Sequence, residues 1–238
     1  PISEIFSVHH HLMNNLEAIL EVKTEIKLDQ ERYFELQITP IINQSGDANG
    51  RIIMFYDISE RKQAEAELRR QVNTDPLTGI FNRRHFSSIG NQIFNHAKQL
   101  KRNLVVLIID IDQLKNVNHQ YGYATGDQTI ITIVNHLNNH TRPKDILGRL
   151  SGEEFVILMP DIPVEKAFEI SKQIQEQLIH QPFMKENLAI PVSISLGVAG
   201  LDFETDTDLD TLISKAEDAL STAKLEGGNR IVVFKRTL

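Results

Sequence analysis

The chain has 238 residues, 41% of them hydrophobic and 24% charged, with a formal net charge of −7 and no cysteine. These values are typical of a soluble globular protein that has one large domain, or one ordinary domain and a smaller one. The acidic charge argues against a nucleic-acid polymer as the partner, because phosphate backbones favour basic surfaces. The lack of cysteine excludes disulfides and thiolate metal sites.

The hydropathy pattern contains no candidate for a membrane span. The longest wholly apolar run, Leu104–Ile109, is far shorter than the thickness of a bilayer requires. Because the sequence begins at Pro1 rather than at Met, we expect it to be a fragment, and any membrane contact to come through an upstream segment.

The first part of the chain, residues 1–58, is predicted to form strands. Side chains alternate in polarity over residues 21–28 and 33–38, as in half-buried strands. The turn-forming stretch 43–50 and the apolar run 52–56 then predict an antiparallel return strand. This is too little chain to form a full core of its own.

Residues 59–74 are charged, contain no Gly or Pro, and are predicted to form a helix that links two domains. Ser59 is a suitable N-cap, and Ala64, Leu68 and Val72 recur at helical spacing. Because this apolar stripe is thin, two interpretations stay open. The helix is either a solvated spacer or a coiled-coil lever between the two domains.

From residue 75 to residue 238, helical and strand patterns alternate, which predicts an α/β or α+β domain. The predicted helices are Arg83–Leu100, Gly126–Asn139, Val164–His180 and Asp208–Leu225. The predicted strands are Leu104–Ile109, Phe155–Met159, Val192–Ala199 and Arg230–Phe234.

Two pairs of acidic residues flank predicted buried strands, where like charges are costly. Asp110 and Asp112 follow the first apolar strand and share one face of it, since side chains alternate along a strand. Glu153 and Glu154 occupy a turn before the next apolar run. If the two strands are neighbours, Asp110 and Glu153 form a carboxylate pair suited to Mg²⁺ (or Mn²⁺), which favours oxygen ligands and phosphate. A strand that merely ends in polar residues is the alternative.

Several motifs, in order along residues 75–234, resemble those of the GGDEF domains, which are diguanylate cyclases. They are Asp75–Phe86 (DPLTGIFNRRHF), Asp110–Lys115, Gly126-Asp127, the hairpin Ser151–Phe155 (SGEEF), Val192–Val198 and Ala219–Asn229. The resemblance implies a palm-like (ferredoxin-like) fold, in which helices flank a mostly antiparallel sheet. It also implies a cytoplasmic protein, or the cytoplasmic part of a membrane-anchored bacterial protein.

The resemblance further implies that each subunit of a homodimer binds one GTP, and that two GTP molecules condense into cyclic di-GMP with release of two pyrophosphates. By position, the catalytic and metal-binding residues are Asp110, Glu153 and, through its carbonyl, Ile111. The residues implied at the nucleotide are Asn118 and Asp127 for guanine, Lys224 for the triphosphate, and Ser151 and Gly152 at the turn. A carboxylate can accept from both the N–H and the amino group of guanine, which suits Asp127.

Arg142 and Asp145 lie just before the hairpin, at the spacing of the family's inhibitory site. An arginine there can stack on guanine and bind phosphate, while an aspartate pairs with guanine's donors. We therefore expect cyclic di-GMP to bind and inhibit at these two residues. The alternative is an ordinary helix salt bridge, because R-x-x-D is a common surface pattern.

Five residues depart from the family pattern. Ser151 replaces a glycine, His119 an aspartate, Tyr123 a histidine, Ser221 a tyrosine, and Gly228 an arginine that the family has near the triphosphate. These changes motivate a second hypothesis, in which a domain without catalysis binds cyclic di-GMP as a receptor or signalling module. A structural spacer without a nucleotide is the third hypothesis, and the intact polar residues favour it least.

The N-terminal segments Ile38–Ile41, Gly50–Ile53 and Asp57–Lys62 resemble the closing part of a PAS sensor domain and its exit helix. The first helices and the ligand-holding strands of that family are largely missing, so no sensory ligand is expected. The predicted organisation is a partial PAS domain at residues 1–58, a linker helix at 59–74 and a GGDEF domain at 75–238.

Overall fold

A computed structural model describes residues 21–29, 32–46, 48–180, 183–185 and 188–235. The chain divides into two compact units, Pro1–Val72 and Asn73–Leu238. Residues 1–20 of the predicted sensor part lie outside the described residues. None of the helices in the described ranges is long and apolar enough to cross a membrane.

The N-terminal unit contains a three-stranded antiparallel sheet with the order β1-β2-β3. Its strands are β1 (Val22–Lys27), β2 (Tyr33–Ile42) and β3 (Ala48–Asp57). The predicted alternation is present, and it buries a small core formed by Ile26, Leu36 and Ile38. Strands β2 and β3 extend further than predicted, because their pairing continues through Ile42 and Ala48.

Helix α1 (Ser59–Asn73) follows β3 as predicted. Its first residue is held by two contacts: the backbone N–H of Ser59 donates to Asp57, and its hydroxyl donates to the carbonyl of Tyr33. Within α1, which the structure describes in full, no residue is buried. Leu68 is 62% exposed, so the described residues leave the thin apolar stripe uncovered.

The C-terminal unit contains a six-stranded mixed sheet with the order β11-β10-β5-β7-β6-β4. The central pairings are antiparallel, and the edge strands β4 and β11 pair in parallel. The strands are β4 (Phe81–Asn82), β5 (Leu104–Ile111), β6 (Ile146–Arg149), β7 (Glu154–Pro160), β10 (Ile194–Gly200) and β11 (Ile231–Val233), and a separate hairpin pairs β8 (Phe183–Lys185) with β9 (Leu188–Ile190). This mixed sheet, flanked by helices, confirms the predicted fold class.

Five helices cover the two faces of the sheet. They are α2 (Arg83–Leu100), α3 (Leu114–Tyr121), α4 (Tyr123–His140), α5 (Val164–His180) and α6 (Leu209–Leu225). The central strand β5 has one row of side chains, including Leu107 and Ile109, in a core with α4 and α5. The other row, including Val106 and Ile108, packs with α2 and α6. A strand covered on both faces reads as a continuous apolar run, which explains the pattern at residues 104–109.

The sequence missed several short elements. Helix α3 was not predicted, and α4 begins at Tyr123 rather than at Gly126. Strands β4, β6, β8 and β9 were also missed, because each has only two to four residues. Such segments are too short to display a periodicity of their own.

Helix α6 packs against β10 at a position that has no space for a side chain. A Cβ atom built on Gly197 would lie 2.0 Å from the carbonyl oxygen of Ala216 and 2.4 Å from the backbone nitrogen of Leu220. Both contacts are with helix backbone, so a side chain there would push α6 away from the sheet.

We expect Gly197→Ala to lower the free energy of unfolding by about 1–3 kcal/mol or more, because overpacking forces the backbone apart. Urea denaturation measures this change. Gly152→Ala is the matched control, since a Cβ atom at Gly152 meets nothing within 4 Å. Equal stability of the two variants would contradict the close packing of α6 on β10.

Candidate functional site

The hairpin between β6 and β7 presents the SGEE turn, which an arginine holds in place. The guanidinium of Arg149 donates to the carbonyl of Ser151 at 3.1 Å and to that of Gly152 at 2.7 Å. It also forms an ion pair with Asp75 at 2.8 Å, and both of these side chains are largely buried. Burial alone would raise the pKa of Asp75, but hydrogen bonds from Thr78 and Arg149 hold it below its usual value. The turn is therefore fixed to the segment that begins the C-terminal unit.

The pairing of β5 with β7 makes neighbours of the two strands that carry the acid pairs. Asp110 lies opposite Glu154 in the register, and the backbone N–H of Ile111 donates to the carbonyl of Glu153 at 3.1 Å. Burial raises the pKa of Asp110; Lys224 opposes this shift, and repulsion from Glu153 and Glu154 adds to it. The end of β5 and the turn thus form a region of concentrated negative charge.

A lysine from α6 meets this charge. The Nζ of Lys224 donates to Asp110, and it donates to Oδ1 of Asp112 at 2.8 Å. Burial alone would lower the pKa of Lys224, but its hydrogen bonds with the two aspartates raise it above the usual value. The ammonium group is therefore fixed beside Asp110 as a compact positive charge.

The residues at the end of β5 fit a magnesium-type cation. Asp110, Glu153 and the Ile111 carbonyl together offer hard oxygen ligands, and Mg²⁺ usually keeps several waters and accepts phosphate oxygens for the rest of its shell. The ammonium of Lys224 shows that a cation is accommodated at Asp110. No group of three or more His, Asp or Glu side chains that could hold a metal ion occurs in the described part of the chain.

A cavity of about 920 Å³ adjoins the turn. Its lining includes Asn118 of α3, together with Ser151, Gly152 and Glu153 of the turn. Asn118 lies so close to α4 that a Cβ atom on Gly126 would be 1.7 Å from its Oδ1 atom. Asp127, the next residue of α4, is exposed and does not appear among the described residues that line the cavity.

The residues that depart from the family pattern also lie near this cavity. His119 and Tyr123 line it, and the Tyr123 side chain is 80% exposed. The hydroxyl of Ser151 donates to Oε2 of Glu154 at 2.7 Å, a bond that glycine could not make. These three side chains alter the rim of the cavity and the SGEE turn relative to the family pattern. The acidic residues at the end of β5 follow that pattern.

The position of the missing arginine is occupied by a glycine turn. Gly228 has φ +74°, and a Cβ atom there would lie 3.1 Å from Oδ1 of Asp112. The nearby Arg230 donates to the Gly228 carbonyl at 3.3 Å and forms an exposed ion pair with Glu226 at 2.8 Å. Arg230 is therefore engaged with its own turn in this structure.

Arg142 and Asp145 pair with each other in the connection between α4 and β6. The guanidinium of Arg142 lies 2.6 Å from Oδ1 of Asp145, whose side chain is fully buried, and donates to the carbonyl of Pro160 at 2.9 Å. The hydrogen bond with Asp145 raises the pKa of Arg142. Pro160 ends β7, so this pair lies at the opposite end of that strand from Glu154. The salt bridge of the alternative interpretation is present, although in a loop rather than on a helix.

Sequence reasoning missed several residues that organise the site. Asp75 was within a quoted motif and Arg149 lies two residues before the SGEEF hairpin, but their pairing joins positions 74 residues apart. Asp112 was noted only as the second acid of its pair, and the serines of residues 193 and 195, which donate to it, were given no role. In the sequence, the paired charges at the ends of the predicted strands were the only indication of where the site lies.

Comparison with known proteins places this arrangement in a family. The model described as "Diguanylate cyclase, GGDEF domain" matches residues 72–230. A diguanylate cyclase of Vibrio cholerae is 30% identical over 199 residues, covering 83% of this chain and 61% of the relative. The probable diguanylate cyclase DgcT of Escherichia coli is 38% identical over 161 residues, covering 67% of this chain and 35% of the relative. The chain thus spans less than two thirds of the length of either relative.

Solved structures share the fold. The coiled coil and GGDEF domain of DgcB from Caulobacter crescentus, in complex with c-di-GMP, has a TM-score of 0.70 at 21% identity, over 74% of this chain and 93% of that one. The active GGEEF domain of a diguanylate cyclase from Vibrio cholerae has a TM-score of 0.62 at 29% identity, over 66% of this chain and 98% of that one. The match over residues 72–230 and these relatives show that the chain belongs to the GGDEF family of diguanylate cyclase domains.

Proposed function

We propose that the chain is an active diguanylate cyclase, which condenses two GTP molecules into cyclic di-GMP and releases two pyrophosphates. The observation that carries this proposal is the meeting of Asp110 with the Glu153–Glu154 turn beside a cavity of nucleotide size. Lys224 adds the positive charge that a triphosphate requires. The family of the chain supports the same reaction class.

The proposed nucleotide contacts are those that the family resemblance implies; of the two guanine contacts, Asn118 lines the cavity and Asp127 does not. Asn118 and Asp127, on adjacent helices, read guanine, which presents an N–H and an amino group side by side. Ser151 and Gly152 let the nucleotide pass close to the turn, and a side chain atom at Gly152 would meet nothing within 4 Å. Lys224 meets the triphosphate as a point charge.

A divalent ion, Mg²⁺ or Mn²⁺, would be held by Asp110, Glu153 and the carbonyl of Ile111. When bound, it neutralises phosphate charge and supports in-line displacement at phosphorus. Asp110 and Glu153 are suited to this role because burial and mutual repulsion favour a cation between them. Lys224 already demonstrates the attraction of this position for positive charge.

The reaction proceeds in a homodimer, because one subunit holds one GTP and two are consumed. The 3′-hydroxyl of one GTP attacks the α-phosphorus of the other, a new O–P bond forms, and pyrophosphate leaves with the electrons of the broken bond. Glu153 assists removal of the hydroxyl proton. A second, equivalent step closes the ring of cyclic di-GMP.

Product inhibition is proposed at Arg142 and Asp145. Arg142 offers a planar fork for phosphate, and Asp145 accepts from guanine. In the structure the two side chains satisfy each other, so the product has to open their ion pair. Binding there would act from the far end of β7, whose other end carries Glu154.

The alternative function is a receptor for cyclic di-GMP without catalysis. Three observations favour it: the Ser151–Glu154 hydrogen bond, the glycine turn at Gly228, and the engagement of Arg230 by Glu226. In this case the Arg142–Asp145 site is the only functional nucleotide site among the described residues. The two functions differ in their product and are separated by one assay.

We further propose that the sheet of β1, β2 and β3 is the closing part of a PAS-like sensor and that α1 transmits its state. The exposed face of α1 supports a contact with a second copy of the chain. GTP, which the proposed reaction consumes, is available in the cytoplasm, so we assign the reaction to that compartment.

We expect purified protein to form cyclic di-GMP from GTP and Mg²⁺, and Asp110→Asn to reduce turnover at least a hundredfold, because it removes a ligand and its charge. Chromatographic detection of the product measures this, at high protein concentration so that subunits associate. Asp218→Asn, an exposed change on α6, is the matched control and should retain activity. A wild-type protein without product would contradict the proposal and favour the receptor.

We expect Ser151→Gly to raise turnover several-fold, because it removes a side chain from a turn where the nucleotide passes close. The kcat and KM for GTP measure the effect. Ser151→Ala separates two causes: it keeps the Cβ atom but loses the hydrogen bond to Glu154. If the glycine variant behaves as the wild type, Ser151 is not a defect of the site.

We expect Arg142→Ala to weaken binding of cyclic di-GMP at least tenfold and to relieve product inhibition, because the phosphate loses its bidentate donor. Isothermal titration calorimetry measures the affinity. Lys144→Ala is the matched control in the same loop, where the Lys144 side chain is 72% exposed. Unchanged affinity in Arg142→Ala would place product binding elsewhere.

A further inference from the structure

Asp112 is the most heavily engaged carboxylate near the site, and only 9% of its side chain is exposed. Its Oδ1 atom accepts from Ser195 at 2.7 Å and from Lys224 at 2.8 Å. Its Oδ2 atom accepts from Ser193 at 2.7 Å and from the backbone N–H of Asn229 at 2.9 Å. A carboxylate has roughly four lone-pair positions, so these donors use its whole capacity.

This saturation distinguishes Asp112, which directly follows β5, from Asp110, which lies two residues earlier near the end of that strand. Among the described residues, Lys224 is the one donor to the Asp110 carboxylate, so other lone pairs of that carboxylate are available to a cation. Asp112 could bind a metal only by giving up one of its donors. Its hydrogen bonds instead overcome the effect of burial and hold its pKa below the usual range.

The donors of Asp112 come from three separate parts of the chain. Ser195 lies on β10, Lys224 lies in the last turn of α6, and Asn229 is part of the turn that follows this helix. The turn has positive φ at Gly227 (+112°), Gly228 (+74°) and Asn229 (+50°). Its close approach to Asp112 leaves little room for a side chain at Gly228. The turn therefore directs the backbone N–H of Asn229 at Asp112, and this contact fixes the end of α6.

Metal binding would change the two partners of Lys224 unequally. A divalent ion at Asp110 takes over that carboxylate and repels the ammonium group, so the Lys224–Asp110 contact is weakened. Asp112, with its other lone pairs occupied by Ser193, Ser195 and Asn229, stays in place. It can then retain Lys224 beside the nucleotide.

We propose that Asp112 is the positioning residue for Lys224, which it holds in place for the triphosphate while Asp110 binds the metal. This inference rests on the proposed function in so far as it assigns Lys224 to a triphosphate. The serines at 193 and 195 orient Asp112, and the glycine turn anchors the helix end that carries Lys224. Asp112 itself does not touch the nucleotide.

The first test needs neither nucleotide nor metal. Urea unfolding of the wild type, Asp112→Asn, Lys224→Met and the double variant forms a double-mutant cycle. We expect a coupling equivalent to about tenfold in the unfolding equilibrium constant, or about 1.4 kcal/mol. Asp218→Asn combined with Lys224→Met is the control and should be additive. Additivity within about twofold in the Asp112 cycle would overturn the positioning role.

A second variant keeps this test decisive if Asp112→Asn does not fold. The double change Ser193→Ala and Ser195→Ala leaves both charges in place but removes the two hydroxyls that orient Asp112. We expect Lys224→Gln to lower the free energy of unfolding less in this background than in the wild type, because a loosened Asp112 holds Lys224 less firmly. Equal costs of Lys224→Gln in the two backgrounds would show that the serines do not orient the pair.

The second test measures binding of a non-hydrolysable GTP analogue and of GMP in the presence of Mg²⁺. We expect Asp112→Asn to weaken the analogue at least tenfold and GMP less than twofold, because guanine binds on α3 and α4. Equal losses for both ligands, or no loss for either, would overturn the inference. A wild-type protein that binds neither ligand refutes the proposed function instead, and the unfolding cycle then still decides whether Asp112 positions Lys224.

Discussion

The antiparallel pairing of β5 with β7 creates the charge problem on which the rest of the site depends. It sets Asp110 opposite Glu154 and brings the backbone of Ile111 to that of Glu153. Like charges therefore meet where these two central strands of a buried sheet end. Such charges are tolerated only when a cation or hydrogen-bond donors compensate them. Lys224 provides this compensation from α6, and Arg149 fixes the turn that carries the glutamates.

The two sides of the site differ in how closely they follow the family pattern. On the side of the acids, Asp110, Glu153 and Lys224 are all present, and Lys224 is in contact with Asp110. On the side of the cavity and of α6, the residues that replace family residues are Ser151, His119, Tyr123, Ser221 and Gly228. Because the substituted residues lie at exposed or irregular positions, they leave the packing of the sheet unaffected. The sheet and its core therefore do not depend on the residues in which the chain departs from the family.

The long elements could be predicted from the sequence, and the contacts between them could not. Continuous apolar runs located β5 and β7, and helical periodicity located α2 and α5 to the residue. The short elements α3 and β6 carry no such pattern, so the position of Asn118 and the start of the hairpin were known only from the resemblance. The partners of Asp112 lie 81 to 117 residues away, and no local rule links such distant positions.

The close approach of α3 to α4 limits which residues fit at positions 118 and 126. The Oδ1 atom of Asn118 occupies the space where a side chain of Gly126 would begin. Exchanging Gly126 for alanine would therefore force the Asn118 amide to move away from α4. Under the proposed function, a variant that reads a different nucleobase would keep this contact and change the exposed rim residue Tyr123 instead.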